Sequence, residues 1–158
     1  MSEFSHLDKN DRPLMVDVSQ KTATRRTAIA RSIVVLPQEV LDRFDNGDIH
    51  TKKGAVFQTA IVAGIMAAKK TGELIPLCHP LGLDNCQVDI HLDKKNELVI
   101  DCTAAILAKT GVEMEALVGA SIAALTVYDM CKSLSHDIVI KETRLIKKTG
   151  GKSDVDRK

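Results

Sequence analysis

The sequence has no tryptophan, one tyrosine and three phenylalanines among its 158 residues. Stacking platforms for single-stranded RNA or DNA are therefore poorly supplied. Neither sign of charge dominates, with 22 Lys and Arg against 21 Asp and Glu and a formal net charge of +1. A chain that works mainly on a nucleic-acid backbone or an anionic membrane carries a basic excess, and this balance argues against both. No C-x-x-C pair occurs, and Cys78, Cys86, Cys102 and Cys131 stand at no metal-finger spacing. The longest uncharged stretch, Gly54 to Ala68, falls short of the roughly 20 residues a membrane span needs. The opening MSEFSHLDKNDR lacks the basic-then-apolar order of a signal peptide. Free thiols without an export signal fit a reducing compartment, so a cytoplasmic protein is expected.

What is present is an ordinary globular composition, 44% apolar and 27% charged. At this length about 70% of the unfolded surface can be buried on folding, enough for a core without disulfides or metal. Residues 1–14 read as a flexible arm, 15–148 as a single domain and 149–158 as a mobile polar tail. Thr22 to Leu36 becomes β-branched and apolar, as a strand does. Pro37 then opens a short amphipathic helix with Val40, Leu41 and Phe44 on one face, closed by Asn46-Gly47. A second helix is predicted from Gly54 to about Lys70, with Gly72 as its stop. The prolines of LIPLCHPLGL, Leu74 to Leu83, forbid a regular helix and make a stiff loop. CQVDIHLD alternates as a half-buried strand, Lys94-Lys95-Asn96 turns, and ELVIDCTAAILA returns. A long helix from about Val112 to Leu134 and a last strand in HDIVIKETRLIKK complete a β-α-β-β-α-β order. The fold class expected is α+β, a ferredoxin-like antiparallel sheet with two long helices packed on one face.

Those two helices are too apolar for one covered face. Thirteen residues without a charge lie between Glu115 and Asp129, and Gly54–Ala68 is equally bare. A helix packed on one sheet needs only one apolar stripe, so a second cover is implied, most simply another copy of the chain. Packing of helix on helix inside one subunit is the plain alternative.

Charged residues gather at the ends of the long helix. Asp129 and Lys132 are three apart, share a face and can tune each other's proton affinity, as an acid/base couple requires; an ordinary surface pair has the same spacing. Thr110-Gly111-Val112-Glu113 has the form of a capping box, which would account for Glu113 alone. Glu115 lies past the box and leads into the bare stretch. Fourteen residues at about 1.5 Å each separate Glu115 from Asp129 by roughly 21 Å. Both ends can serve one small substrate only if the site is shared between subunits. In Leu77-Cys78-His79-Pro80 the flanking prolines aim Cys78 and His79, although a lone histidine is commonly structural and no further ligands complete a metal site. Arg25, Arg26, Lys52, Lys53, Lys147, Lys148 and Lys152 form a basic group suited to phosphates or, in the tail, to solvent. GGKS is not a P-loop: its first glycine would fall at Ile146, and no helix-length segment follows.

IPLCHPL (Ile75–Leu81), KTGVEMEAL with AALTVYDMCK (Lys109–Lys132) and K-x-GGKS (Lys148–Ser153) resemble the molybdenum-cofactor biosynthesis family MoaC, the cyclic pyranopterin monophosphate synthases. MVDVSQK (Met15–Lys21) and KKGAVFQTA (Lys52–Ala60) agree with it. The resemblance implies a lyase that rearranges 3′,8-cyclo-7,8-dihydro-GTP to cyclic pyranopterin monophosphate and releases pyrophosphate. It implies a homohexamer, a trimer of dimers, with sites shared between subunits. Carried over by position, Asp129, Lys132 and Lys53 would be catalytic. Leu77, Cys78, His79, Glu113, Met114 and Glu115 would face the substrate, and Arg26, Lys148 and Lys152 its triphosphate. No cofactor and no protein-held metal is implied, with Mg²⁺ an optional companion of the triphosphate. Ala55 stands where an acidic residue is frequent, Ile61 where arginine is common, and GGKSD replaces the usual GGKSG. A catalytically silent, oligomeric nucleotide-binding protein is the alternative, but it would need no paired acid and base.

Overall fold

Thr24–Val35 (β1) turns Ala28, Ala30, Ser32 and Val34 to a fully buried face by simple alternation. The chain comes from a computed structural model that describes residue 8 and residues 10–157. Most of the expected flexible arm, residues 1–7 and 9, and the last tail residue lie outside the described residues.

Pro37 opens a helix, but α1 (Gln38–Leu41) is a single turn. The expected continuation to Asn46-Gly47 is corrected: β2 (Phe44–Asp45) and β3 (Asp48–Thr51) form a hairpin, and Asn46 and Gly47 are its two loop residues at φ 48° and 84°. Two successive positive φ angles are what a type I′ turn demands, so the dipeptide's turn chemistry overrode the helical pattern before it. A short strand β4 (Gly54–Ala55) pairs back on β3 and leads into α2 (Val56–Lys69). No side chain of its own caps α2. The buried Asp48 on β3 does so instead, accepting from the amides of Phe57 at 2.7 Å and Gln58 at 3.2 Å. Gly72 is not the stop of α2 but lies inside α3 (Thr71–Leu74), where an added Cβ would stand 3.0 Å from the Pro80 backbone. Its value is close approach to the proline loop.

β5 (Asn85–Leu92) and β6 (Glu97–Ala108) are the expected hairpin, followed by α4 (Glu113–Cys131) and β7 (Val139–Thr149). The main sheet is antiparallel throughout, in the order β5-β6-β1-β7, with both long helices on the face that carries Ala28, Ile100, Cys102 and Val34. That is the ferredoxin-like arrangement. A last strand, β8 (Val155–Asp156), adds to the free edge of β7 through the pairs Lys147–Asp156 and Lys148–Val155. The tail expected to run free thus folds back on the sheet.

Where α2 crosses α4 the backbones nearly touch. An added Cβ at Gly64 would lie 2.9 Å from the Gly119 carbonyl, and one at Gly119 would lie 2.5 Å from Cys102 Sγ. Gly119→Ala is expected to destabilise by about 1–3 kcal/mol through overpacking. That corresponds to about 2–4 °C in Tm per kcal/mol at this chain length. Thermal denaturation of Gly119→Ala, Cys102→Ala and the double variant checks the cause, since the double should lose less than the sum. Helix-on-helix packing does not cover everything: Val62 and Met66 on α2 and Leu125 on α4 are each more than half exposed. By length and composition α4 could cross a membrane, but half of its apolar window is buried inside the fold, as in a core helix.

β1 and β7 slip register between Ile29 and Ala30, leaving Ile146 without a partner. This β-bulge sets Lys148 opposite Ala28, on the helix side of the sheet. Without the extra residue in the ladder, Lys147 would take that side.

Candidate active site

The residues to which the resemblance gives roles fall into two clusters at opposite ends of α4, whereas Arg25, Lys52 and Lys147 of the basic group join neither. At its N-terminal end a cavity of about 520 Å³ is lined by all nine expected substrate-facing residues: Leu77, Cys78, His79, Glu113, Met114, Glu115, Arg26, Lys148 and Lys152. The proline loop supplies the first three, the first turn of α4 the next three, β1 and β7 Arg26 and Lys148, and the β7–β8 connection Lys152. Sequence reasoning missed Val16, Val18 and Lys21, which close the cavity from the N-terminal segment. MVDVSQK carried the signal, but no periodicity ties an irregular arm to a site.

His79 shows how that arm is held. Its Nε2 lies 2.8 Å from the carbonyl of Val16. A carbonyl can only accept, so Nε2 carries the proton and Nδ1 is left for another partner. Lys109 holds the same segment by donating to the Ser19 carbonyl at 2.7 Å.

The capping box does not form. Val112 takes the N-cap position without a side-chain cap, and Glu113 instead accepts from Lys148 Nζ at 3.0 Å. Gly111 leaves the space that the Glu113 carboxylate fills. Glu113 is thereby tied to a cation, and Glu115 is not. The Glu115 side chain is only 3% exposed, and among the described residues no Lys, Arg or His pairs with it. Burial pushes its carboxyl above the usual range, with the neighbouring Glu113 adding to the shift. Burial also raises the Cys78 thiol, helped by Glu115, so Cys78 rests protonated and is a poor nucleophile. Arg26 completes the picture, with Nε buried and unpaired among the described residues. The cavity therefore offers a buried carboxyl with no cationic partner and a guanidinium donor with no acceptor among the described residues, with three lysines, Lys21, Lys148 and Lys152, also in its lining.

A raised carboxyl has a signed consequence. The folded state holds the Glu115 proton more tightly than the unfolded state. Its stabilising effect is thus full below the ordinary glutamate pKa and is lost as pH rises through the folded value. Glu115→Gln removes the charged form, so the ligand-free variant should be more stable than wild type near pH 7. The gap should shrink toward pH 4, and calorimetric Tm values across that range are the measurement.

At the other end of α4 the structure brings Lys53, Asp129 and Lys132 into contact. Asp129 Oδ1 lies 2.7 Å from Lys132 Nζ and Oδ2 lies 2.9 Å from Lys53 Nζ, which also donates to the Asp129 carbonyl at 2.9 Å. The Asp129–Lys132 contact was legible as helix spacing. Lys53 arrives from the β3–β4 turn, whose position follows from Asp48 gripping the start of α2. Lys132 first and then Lys53 hold the Asp129 carboxyl down to about 2, and Asp129 in turn raises Lys132. With the three side chains about half exposed, Asp129 is an anion between two ammonium groups. Both lysines donate to Asp129, which fixes where their ammonium groups stand. Desolvation by a covering surface would lower a lysine toward the base role.

The family model for the MoaC family matches residues 15–151. The chain belongs to the MoaC family. Similar proteins include the molybdenum cofactor biosynthesis bifunctional protein of Synechocystis, 53% identical over 98% of this chain and 46% of that protein. Molybdenum cofactor biosynthesis protein 1 of Dictyostelium discoideum is 48% identical over 96% of this chain and 27% of that protein. The chain thus spans about half or less of the length of these two longer relatives. The cyclic pyranopterin monophosphate synthase of Lysinibacillus sphaericus is 51% identical over 97% of this chain and 96% of its own length. Lys53, Asp129 and Lys132 and every cavity residue but Lys152 fall inside the MoaC match.

Proposed function

We propose that this MoaC-family chain is a cyclic pyranopterin monophosphate synthase, a lyase that converts 3′,8-cyclo-7,8-dihydro-GTP to cyclic pyranopterin monophosphate and pyrophosphate. The observation that carries this reading is the division of α4: a cavity with an unpaired buried carboxylate at one end, and a Lys–Asp–Lys contact at the other. The two ends are roughly 21 Å apart along one continuous helix. A substrate of this size reaches both only if the C-terminal end of α4 from one copy closes the cavity of its neighbour. The exposed Val62, Met66 and Leu125 supply apolar surface for such an assembly, in this reading a hexamer built as three dimers.

Each part then has a task. A guanine-derived ring presents adjacent N–H donors, and Glu115, costly as a buried lone anion, gains most by accepting them. A ring without those donors would leave the carboxylate unpaired and be rejected. Arg26, Lys148 and Lys152 take the phosphates; a Mg²⁺ ion riding on the triphosphate would enter as part of the substrate. The rearrangement moves protons at carbon and nitrogen without net oxidation, so the reading calls for acid/base groups and no redox cofactor. Lys53 and Lys132, aligned by Asp129, are those groups. A silent nucleotide binder would have no use for them.

The test is direct. Purified protein supplied with the cyclised dihydro-GTP should release pyrophosphate and the cyclic phosphate product in equal amounts. Binding of the compound without conversion would favour the silent binder.

A further inference from the structure

The connection between β7 and β8 shapes the phosphate end of the cavity, and one residue in it has been given no task. The strand pairs Lys147–Asp156 and Lys148–Val155 make residues 150–153 the tip of a hairpin. Gly150 is held there on three sides. Its amide donates to Asp154 Oδ1 at 3.1 Å, its carbonyl accepts from the Thr24 hydroxyl at 2.8 Å, and the Arg25 carbonyl occupies the place where a Cβ would stand. Its φ of 86° is one that glycine alone adopts freely. Gly151 lies directly on Arg26, an added Cβ being 2.9 Å from a guanidinium nitrogen, and Gly151 and Lys152 both line the cavity. Two of the three holds on Gly150 come from β1, a rigid central strand. The third comes from Asp154, the position at which this tail departs from GGKSG.

We propose that Asp154 is a positioning residue for phosphate binding: its carboxylate locks Gly150 so that Gly151 and Lys152 are preset beside Arg26 and Lys148 before the ligand arrives. The inference rests on the synthase reading for the identity of the substrate, but not for its test. Asp154 acts on an anion in two opposing ways. Its charge repels a polyphosphate, while its hydrogen bond spares the ligand the entropy of ordering the loop. Asp154→Asn keeps an acceptor oxygen and drops the charge; Asp154→Ala drops both.

With inorganic pyrophosphate as the probe in titration calorimetry, Asp154→Ala should bind about fivefold more weakly than Asp154→Asn, the size of one ordinary hydrogen bond. Asp154→Asn should bind as tightly as wild type or more so. Amide exchange at Gly150 should quicken in the alanine variant and stay slow in the asparagine variant. With the cyclised dihydro-GTP, the alanine variant should raise KM with kcat unchanged within about twofold. Pyrophosphate that binds the two variants equally, or does not bind wild type, overturns the proposal, as does a Gly150 amide indifferent to both changes. Absence of turnover by wild type would remove the synthase reading instead, and the calorimetry and exchange would still judge Asp154.

Discussion

Asp129→Asn should lower kcat by about 10²–10⁴-fold, the usual worth of positioned acid–base groups, while leaving Tm and oligomer size as in wild type. The carboxylate accepts from Lys132 at 2.7 Å and from Lys53 at 2.9 Å, one oxygen for each. Asparagine keeps one acceptor and turns an amide donor toward the second ammonium, so one lysine is released from its place. Stability should not follow, because the three side chains are about half exposed and ion pairs of that kind contribute little. The carboxyl is held near 2, so Asp129 is ionised across the working range and contributes no limb to a pH–rate profile near neutrality. A limb found there belongs to another group. Pyrophosphate release, followed continuously at saturating substrate, is the measurement, and wild-type kcat in the variant would remove Asp129 from the chemistry.

The second expected result concerns two dead proteins that revive each other. Glu115→Gln should lower kcat/KM by about 10²–10⁴-fold, the loss of one or two charged hydrogen bonds to the ring. Asp129→Asn should be comparably impaired for the reason above. Each variant spoils one end of α4 and keeps the other. Where a working site takes its cavity from one copy and its lysines from the next, random mixed assembly repairs some sites fully. Half of the cavities are sound, and half of those face a sound partner, giving about a quarter of the wild-type rate. Co-expression with two affinity tags, followed by isolation of the doubly tagged species, provides the sample. Activity no higher than that of the separate variants would mean that each chain works alone. Glu115 and Asp129 could not then act on the same molecule.

Much of this was legible before the structure because it rests on local rules. The strand alternation of β5 and β6, the bare stretch of α4 and the three-residue spacing of Asp129 and Lys132 are periodicities of two and 3.6, visible in any window. The nine cavity residues were named through family resemblance, and the fold gathers them because the proline loop, the start of α4 and the bulged end of β7 converge. What escaped depends on partners distant in sequence. Asp48 caps a helix that begins eight residues later on another element. Lys53 meets Asp129 across 76 positions, and Lys148 draws Glu113 out of its capping box across 35. The Asn46-Gly47 turn was misread for a different reason, since the same dipeptide ends helices and closes hairpins and only the pairing of Phe44 with Ile49 decides between them.

The glycine crossing of α2 and α4 carries a mechanical consequence. Lys53 precedes α2, whereas Asp129 and Lys132 ride on α4, so the gap bridged at 2.9 Å is a gap between two separately held bodies. Its width is set in the interior of both helices, where Gly64 meets the Gly119 carbonyl. The Lys–Asp–Lys end therefore inherits its tolerance from a spacer buried in the interior, in the way that the jaws of a caliper inherit theirs from the pivot. A methyl group added at that pivot would be felt as slower chemistry by a group it never touches.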